Sequence, residues 1–253
     1  MDILDFDVPQ HQVNTLGQPV NFAVPDWVPP PAPERRPLHG RFCRVEPLTP
    51  AIHAASLYAA NSQDAEGRMW TYLSYGPFKT FDSYRAWLDQ RSVSNGRLCY
   101  AIVDADTNSA VGVACYQRIN PAAGSIEVGG VAYSPLLQGT PMATEAMYLM
   151  MDNVFTLGYR RYEWMADSMN ATSRAAAQQL GFSFEGVFRQ EDVVKGRNRD
   201  TVWYSILDHE WPALRATFQQ WLAPQNFDAE GRQRTRLSDL TRPLLHDVVD
   251  IRH

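Results

Sequence analysis

The sequence predicts an α/β or α+β domain built on a mixed β-sheet, and three observations carry this prediction. Three strand-like runs with turn signals between them indicate a meander of antiparallel strands in the first half of the domain. Helical and strand-like periodicities then alternate, which is typical of β-helix-β units. Two long strand-like runs around Gly196 follow. Hairpins combined with β-helix-β units require a sheet of mixed strand direction.

The elements are expected in the following order. Residues 1–40, with four prolines between positions 29 and 33, form an extended arm, because proline fixes φ and lacks an N–H donor. The domain at 41–208 then holds a strand near 42–45, helices at 52–61 and 83–91, strands at 98–103, 110–117 and 125–133, a helix at 142–155, a strand at 159–165, a helix at 173–180, and strands at 182–194 and 201–207. Residues 209–253 give an amphipathic helix and a polar tail.

Composition indicates a soluble, cytoplasmic protein. Hydrophobic residues make up 45% of the 253 residues and charged residues 20%, so a sizeable core can form. A net charge of −5 argues against nucleic acid as a partner, because phosphate backbones are held by surplus Lys and Arg. The N-terminus is acidic where a signal peptide would be basic, and no run approaches the roughly 20 apolar residues that span a membrane.

The three cysteines are expected to be buried free thiols. Cys43, Cys99 and Cys115 have no short spacing between them and lie among apolar neighbours, unlike a disulfide framework or a zinc site. The six histidines are scattered without helical ligand spacing, so no metal is expected.

The stretch at 128–146 reads VGGVAYSPLLQGTPMATEA and is the richest in possible chemistry. Gly129 and Gly130 inside a strand indicate a bulge or a close backbone approach. The helix that starts near Thr140 offers free N–H groups and a positive dipole end, which suit a pyrophosphate. A well-capped helix, with Thr140 as N-cap and Pro141 at the first position, explains the same residues. Both interpretations stay open on this stretch alone.

A second stretch, at 169–182, reads MNATSRAAAQQLGF. Asn170 can cap a helix, Ser173 lies at the spacing of a capping-box partner, and Gly181 ends the helix. Taken alone, this stretch is a helix with well-formed ends.

Together the two stretches resemble the GNAT superfamily of N-acetyltransferases, and within it the subgroup of ribosomal-protein N-terminal acetyltransferases. The family's pyrophosphate loop, Arg/Gln-x-x-Gly-x-Gly/Ala, is matched by Gln138, Gly139 and Ala143. The family's Asn-x-x-Ser…Leu-Gly-Phe signature is matched by Asn170, Ser173, Leu180, Gly181 and Phe182. Residues 70–78 are similar to the subgroup's substrate-side loop. The resemblance covers roughly residues 41–208 in the right order.

The resemblance implies the GNAT fold: a mostly antiparallel sheet with one splayed parallel strand pair, here 127–133 and 160–165, flanked by helices. Acetyl-CoA would lie in that opening. The implied cofactor-binding residues are Val131, Ala132, Tyr133, Gln138, Gly139, Thr140, Met142, Ala143, Thr144, Asn170 and Ser173. One departure is Pro141, which replaces a loop glycine and removes one possible N–H donor to phosphate.

For catalysis the resemblance implies direct attack by an amine on the thioester. Glu127 and Asp192 are alternative general bases, and the choice between them stays open. Ser173 would protonate or position the leaving sulfur, since Ala177 stands where many members of the family carry a tyrosine. Trp70 and Tyr72 would line the acceptor pocket.

These residues predict an N-acetyltransferase that uses acetyl-CoA and acts on a primary amine, which could be a protein N-terminus, an amino acid or a small amine. The alternative is a non-catalytic CoA-binding or regulatory module that kept the fold, which Pro141 favours. The P-loop and dinucleotide-binding fingerprints are absent from the sequence. The C-terminal helix could shape the pocket or form a homodimer interface.

Overall fold

An eight-stranded sheet organises the chain. The computed structural model describes residues 12–92 and 96–246. In chain order, the elements are β1 (Gln12–Val13), β2 (Pro19–Val20), β3 (Leu38–His39), β4 (Cys43–Pro47), α1 (Pro50–Asn61), α2 (Phe81–Ser92), β5 (Leu98–Asp104), β6 (Ala110–Asn120), β7 (Ser125–Tyr133), α3 (Pro141–Thr156), β8 (Arg161–Asp167), α4 (Ala171–Gln179), β9 (Ser183–Val194), β10 (Arg197–Leu207), α5 (Trp211–Leu222) and α6 (Leu237–Thr241). Short 3-10 helices lie at Arg68–Trp70, Pro224–Asn226 and Arg242–Leu244.

The sheet has the mixed topology that the sequence predicts. Its strand order is β3-β4-β5-β6-β7-β8-β10-β9. The pairs formed by β4, β5, β6 and β7 are antiparallel, as in a meander, and so are β8–β10 and β10–β9. The pair β7–β8 is parallel, and α3 provides the crossover between its strands. The predicted fold class is confirmed.

The parallel pair separates partway along its length. Pairing between β7 and β8 runs from Ser125 opposite Arg161 to Val128 opposite Trp164. Beyond that point β7 continues to Tyr133 and β8 to Asp167 without further pairing to each other. The two strands therefore leave a gap in the middle of the sheet.

A bulge in β7 begins at the same place. Cys115 of β6 pairs with Gly129, and Val113 pairs with Ala132, so β7 holds one residue more than β6 between these pairs. Gly130, inside the bulge, has a φ of +58°, which glycine adopts without steric cost. The paired glycines mark the bulge that the sequence indicates.

The two faces of the sheet are covered by different helices. Alternate residues of β5 point to opposite faces: Ala101 packs in a core with residues of α1 and α2, whereas Tyr100 and Ile102 pack in a core with residues of α3 and α5. The period of two along β5 thus separates two hydrophobic cores.

Both terminal segments pack against the domain. In the arm, the indole N–H of Trp27 donates to the carbonyl of Ala122 at 3.1 Å, and Tyr100 donates to the carbonyl of Glu34 at 3.0 Å. At the other end, the apolar face of α5 is buried in the α3 core, with Trp211 stacked on Phe155 at 4.9 Å between ring centroids. The C-terminal helix therefore belongs to the core of the monomer.

The expectation of three free thiols is wrong for two of the cysteines. Cys43 is free and buried, as expected. Cys99 and Cys115 face each other across β5 and β6 and form a disulfide. Their separation of 16 residues gives no sequence signal, but the hairpin brings them into register.

Among the helices of the described residues, none combines the length and the apolar character needed to cross a membrane.

A buried carboxylate ties α3 to the start of β4. Glu145 is 4% exposed and accepts hydrogen bonds from the backbone N–H groups of Arg41, Phe42 and Cys43 at 2.7, 2.6 and 2.9 Å. Hydrogen bonds to a charged acceptor are stronger than neutral ones. One side chain in α3 therefore satisfies three amides where the sheet begins.

We expect Glu145→Ala to lower the free energy of unfolding by about 3 kcal/mol or more, because it leaves buried amides without acceptors. Urea unfolding followed by circular dichroism measures the change. Glu66→Ala, which removes an exposed carboxylate paired with Arg68, is the control and should change stability by less than about 0.5 kcal/mol. Equal effects of the two substitutions would contradict this account of Glu145.

Candidate active site

A cavity of about 590 Å³ opens where β7 and β8 separate. Its walls come from β6, β7 and β8 around the gap, the start of α4, the loop before α2, the end of α2 with residues 96–97, and the β9–β10 hairpin. The lining includes Glu127 to Val131, Trp164 to Asp167, Asn170, Ser173, Tyr72 to Tyr75, Arg91, Arg97, Gln117, Arg118, Glu191, Asp192, Arg199 and Thr201. The gap in the sheet is thus a candidate binding site with many polar side chains in its walls.

Glu127 is the buried carboxylate of this cavity. It is 2% exposed, and its Oε1 accepts a hydrogen bond from Gln117 Nε2 at 2.5 Å. Its Oε2 is buried without a hydrogen-bond partner and lies 3.9 Å from Arg118 Nε. Glu163 is its register partner on β8. The site therefore holds a carboxylate with one oxygen fixed and the other free.

Burial raises the pKa of Glu127 to about 7, although the Gln117 hydrogen bond and the Arg118 charge act in the opposite direction. The neighbouring Glu163 carboxylate adds to the increase. A carboxylate with a pKa near neutrality is ionised often enough to accept a proton and basic enough to hold it. Glu127 can therefore serve as a general base.

The raised pKa also has a consequence for stability. The folded state holds the Glu127 proton up to about pH 7, whereas an unfolded chain releases it near 4.5, so stability falls as the pH rises through this window. We expect Glu127→Gln, which cannot ionise, to gain roughly 3 kcal/mol relative to the wild type between pH 4 and pH 8. Urea unfolding at both pH values measures the gain. Asp192→Asn is the control, and a gain of the same size there would contradict the assignment.

Asp192 occupies a different environment. It lies on β9, is exposed at the rim of the cavity, and its Oδ1 accepts a hydrogen bond from the Val193 amide at 2.7 Å. Both carboxylates that the sequence singles out thus border one cavity. Only Glu127 combines burial with a free oxygen.

Ser173 and Asn170 meet the cavity at the start of α4. The hydroxyl oxygen of Ser173 accepts a hydrogen bond from Trp164 Nε1 at 3.0 Å, and its proton has no acceptor among the described residues. The side-chain oxygen of Asn170 caps the helix by accepting from the Ser173 amide at 3.1 Å. Asn170 is therefore an N-cap that also lines the cavity. The Ser173 proton can be donated into the cavity.

The N-terminus of α3 retains donors despite Pro141. Thr140 is the N-cap, and its hydroxyl accepts from the Ala143 amide at 3.3 Å. Internal hydrogen bonds occupy the Thr140 and Ala143 amides, whereas those of Gly139 and Met142 donate to no described backbone carbonyl. Residues 138–144 lie outside the lining of the cavity. The helix dipole and these two amides suit an anionic group.

The remaining residues of β7 differ in their exposure. Val131 lines the cavity, whereas Ala132 is buried in the core. The Tyr133 hydroxyl is buried without a partner, which raises its pKa. Tyr133 also contributes its backbone carbonyl, which accepts from Gln138 Nε2 at 2.7 Å. At Ala132 and Tyr133 only the backbone can therefore serve a ligand.

Of the two aromatic residues expected on the acceptor side, the structure brings one to the cavity. Tyr72 lines it. Trp70 is 4% exposed and does not line the cavity; its indole packs over Gly76 and against Phe78, with ring centroids 5.4 Å apart. Its backbone carbonyl accepts from Lys195 Nζ at 2.7 Å, which connects this loop to the β9–β10 hairpin.

Several cavity residues were not identified from the sequence. Gln117, Arg118, Arg91 and Arg97 belong to no motif, and they reach the site only because β6, α2 and β5 fold around the gap. Gln117 and Arg118 are the two polar residues that follow the buried part of β6, and this change in polarity is the only signal that could have indicated them.

One group of potential metal ligands occurs among the described residues. His209, Glu210 and His246 bring one ligand atom each within 4.8 Å of one another. None of the three lines the cavity.

Comparison with known proteins gives a consistent result. The sequence model of the family described as acetyltransferase (GNAT) domain matches residues 43–183 of this chain. A GCN5-related N-acetyltransferase structure from Brucella melitensis is 45% identical, with 86% of this chain and 99% of that chain covered and a TM-score of 0.83. A probable GNAT-family acetyltransferase from Chromobacterium violaceum is 38% identical, with 78% and 98% covered and a TM-score of 0.72. Spermidine N(1)-acetyltransferase of Escherichia coli K12 is 32% identical over 93 residues, which are 36% of this chain and half of that protein.

Proposed function

We propose, since the chain belongs to the GNAT acetyltransferase family, that it transfers the acetyl group of acetyl-CoA to a primary amine by direct attack. The observation that carries the proposal is the free oxygen of Glu127, a buried carboxylate with a pKa of about 7 in the gap between the parallel strands. GNAT acetyltransferases act on amines, and an amine must lose a proton before it becomes nucleophilic.

The chain fits acetyl-CoA at two places. The free amides of Gly139 and Met142 at the start of α3 suit the pyrophosphate, with Gln138 and Thr144 beside them. A side chain at Gly129 would overlap Gln117, so the glycine leaves room for Gln117 beside Glu127. When bound, acetyl-CoA supplies an activated thioester. The backbone of Val131 to Tyr133 would hold its pantetheine and polarise the carbonyl.

Proton transfer is assigned to two side chains. Glu127 accepts the proton of the attacking amine, while the hydrogen bond from Gln117 to Oε1 holds the carboxylate in place. Arg118 faces the same carboxylate and moderates its basicity. Ser173, whose oxygen already accepts from Trp164, directs its proton to the departing sulfur or positions that atom. Asn170 and Tyr72 contribute binding contacts, and Asp192 acts at the rim as the alternative base.

The alternative is a non-catalytic CoA-binding or regulatory module with the same fold. Pro141, which lacks a donor in the phosphate loop, favours it. The two free amides that flank Pro141 and the proton-accepting environment of Glu127 favour an enzyme. The assignment to the ribosomal-protein subgroup rests on the sequence motifs. It would make a protein N-terminus one of the acceptors.

We expect Glu127→Gln to lower kcat/KM by about 10²- to 10⁴-fold, because it removes the general base. Wild-type log kcat/KM should rise with pH and bend near pH 7, where Glu127 loses its proton, and the variant should lack this bend. A thiol-release assay measures both. The dissociation constant of acetyl-CoA, measured by calorimetry with ATP and NAD as negative controls, should stay within threefold of the wild-type value.

Asp192→Asn is the matched control for the base and should change kcat/KM by only a few fold. Full activity of Glu127→Gln together with loss in Asp192→Asn would transfer the role to Asp192. A wild-type protein that binds acetyl-CoA and acetylates none of a panel of amines and peptides would favour the non-catalytic alternative. Absence of acetyl-CoA binding would reject the proposal.

A cytoplasmic location and a homodimer are further parts of the proposal. The Cys99–Cys115 disulfide bears on the location, because a reducing compartment would convert this pair to thiols. Alkylation before lysis, followed by mass spectrometry, counts those thiols.

Light scattering on the full chain tests the homodimer. Residues of α5 are committed to the monomer core, so a dimer would have to use another surface.

A further inference from the structure

Arg91 is a buried guanidinium at the wall of the cavity. It lies in the last turn of α2 and is 8% exposed. Its Cζ is 4.6 Å from the ring centroid of Tyr75 and 5.2 Å from that of Trp87. A side chain at Gly130 would overlap Nη2 of Arg91, so the guanidinium lies directly against the bulge of β7. Arg91 therefore borders the place where the sheet opens.

The charge of Arg91 has no counter-charge among the described residues. Its Nε is buried without a hydrogen-bond partner. No described carboxylate lies within 4 Å of the guanidinium, and the residues at 93–95 are valine, serine and asparagine, which carry no charge. Burial lowers the pKa of Arg91, but an arginine side chain stays protonated in proteins. Aromatic contacts offset only part of the cost of burying an unpaired charge.

A second guanidinium lies on the same side of the cavity. Arg97, just before β5, also lines it and forms no ion pair with a described residue. Arg118, by contrast, faces two carboxylates, those of Glu127 and Glu163, at 3.9 and 4.0 Å. Arg91 and Arg97 thus form no ion pair with a described residue and can meet a ligand anion, whereas Arg118 already faces two carboxylates.

We infer that Arg91, together with Arg97, binds an anionic group of the acceptor, so the acceptor is an amine that also carries a carboxylate or a phosphate. Guanidinium groups bind both anions through paired hydrogen bonds. The inference rests on the proposed function and narrows its acceptor. A ligand anion would also supply the counter-charge that Arg91 lacks in the described structure.

The geometry limits the length of such an acceptor. Oε1 of Glu127 lies 2.6 Å from the position of a Cβ atom on Gly129, and Nη2 of Arg91 adjoins the neighbouring Gly130. The covalent path between these two glycines places the two side-chain atoms at most roughly 12 Å apart. Hydrogen bonds of about 3 Å at each end leave at most about 6 Å between the amine and the anion. Amino acids and phosphorylated amino alcohols are short enough to meet this limit.

The unpaired charge of Arg91 disfavours a polyamine as the acceptor. A second ammonium group that extends from the base towards Arg91 would meet an unpaired positive charge in a poorly solvated site. Similarity to the spermidine enzyme covers only 36% of the chain. The cavity of this protein therefore fits a different class of amine.

The test compares matched acceptors in the full chain. Phenylalanine is paired with phenethylamine, and O-phosphoethanolamine with ethanolamine, so each pair differs by one anionic group. In at least one pair, we expect the wild type to have a kcat/KM that is at least tenfold higher for the anionic member than for the other. The pair that shows this preference identifies the anionic group of the acceptor as a carboxylate or a phosphate. Arg91→Met should raise KM for that acceptor by 10- to 100-fold and abolish the preference, with acetyl-CoA affinity unchanged.

Arg85→Met is the matched control. It removes an arginine from the same helix, where Arg85 is paired with Asp89 at 3.0 Å, and should behave like the wild type. Arg91→Lys keeps the charge but not the paired hydrogen bonds, and should retain part of the preference. If Arg91→Met does not fold, as judged by circular dichroism, Arg91→Lys and Arg97→Met carry the test.

Binding is measured separately from turnover. N-Acetylphenylalanine and acetyl-O-phosphoethanolamine, without CoA, should raise the melting temperature of the wild type and of Arg85→Met, but not of Arg91→Met. This readout stands even if the protein proves not to be an enzyme. The inference is overturned if neither compound stabilises the wild type, if the amines without an anionic group are preferred, or if Arg91→Met lowers turnover of both members of a pair equally.

Discussion

The early end of pairing between two parallel strands is the constraint on which the rest of the site depends. Backbone groups of β7 and β8 satisfy one another only as far as Val128 and Trp164. Beyond these residues a bulge turns β7 towards β6, and Gly130 adopts a backbone conformation that other residues rarely take. The gap is therefore built into the hydrogen-bonding pattern of the sheet and does not depend on a flexible loop.

Burial around this gap determines the chemistry. Glu127 lies where the strands are still paired, so it is desolvated and its pKa is raised to about 7. Asp192, on the β9–β10 hairpin, reaches the same cavity from the solvent side. The two carboxylates that the sequence offers as alternative bases thus differ in environment, because one is enclosed by the sheet and the other is not.

The sequence predicts the scaffold well because its signals are local. Strand-like runs with turn signals between them locate β5 to β7, Thr140 and Asn170 mark helix starts, and paired glycines mark the bulge. Strand β10 begins four residues before the expected start at 201, because its exposed first residues lack an apolar pattern. Contacts between distant segments give no local signal. Neither the Cys99–Cys115 bond nor the approach of Arg91 to Gly130 could be predicted, since each depends on how separate elements pack.

The carboxylate of Glu145 also bears on the proposed binding of a phosphate group. It lies in the second turn of α3, the helix whose first turn offers free amides, and it fixes that turn against the backbone at residues 41–43. The amides are thereby held in one orientation before any anion arrives. An anion that binds there would lose little free energy to ordering the protein, which would offset the donor that Pro141 cannot provide. Preorganisation of the helix would in this way support the proposed phosphate-binding turn in spite of its proline.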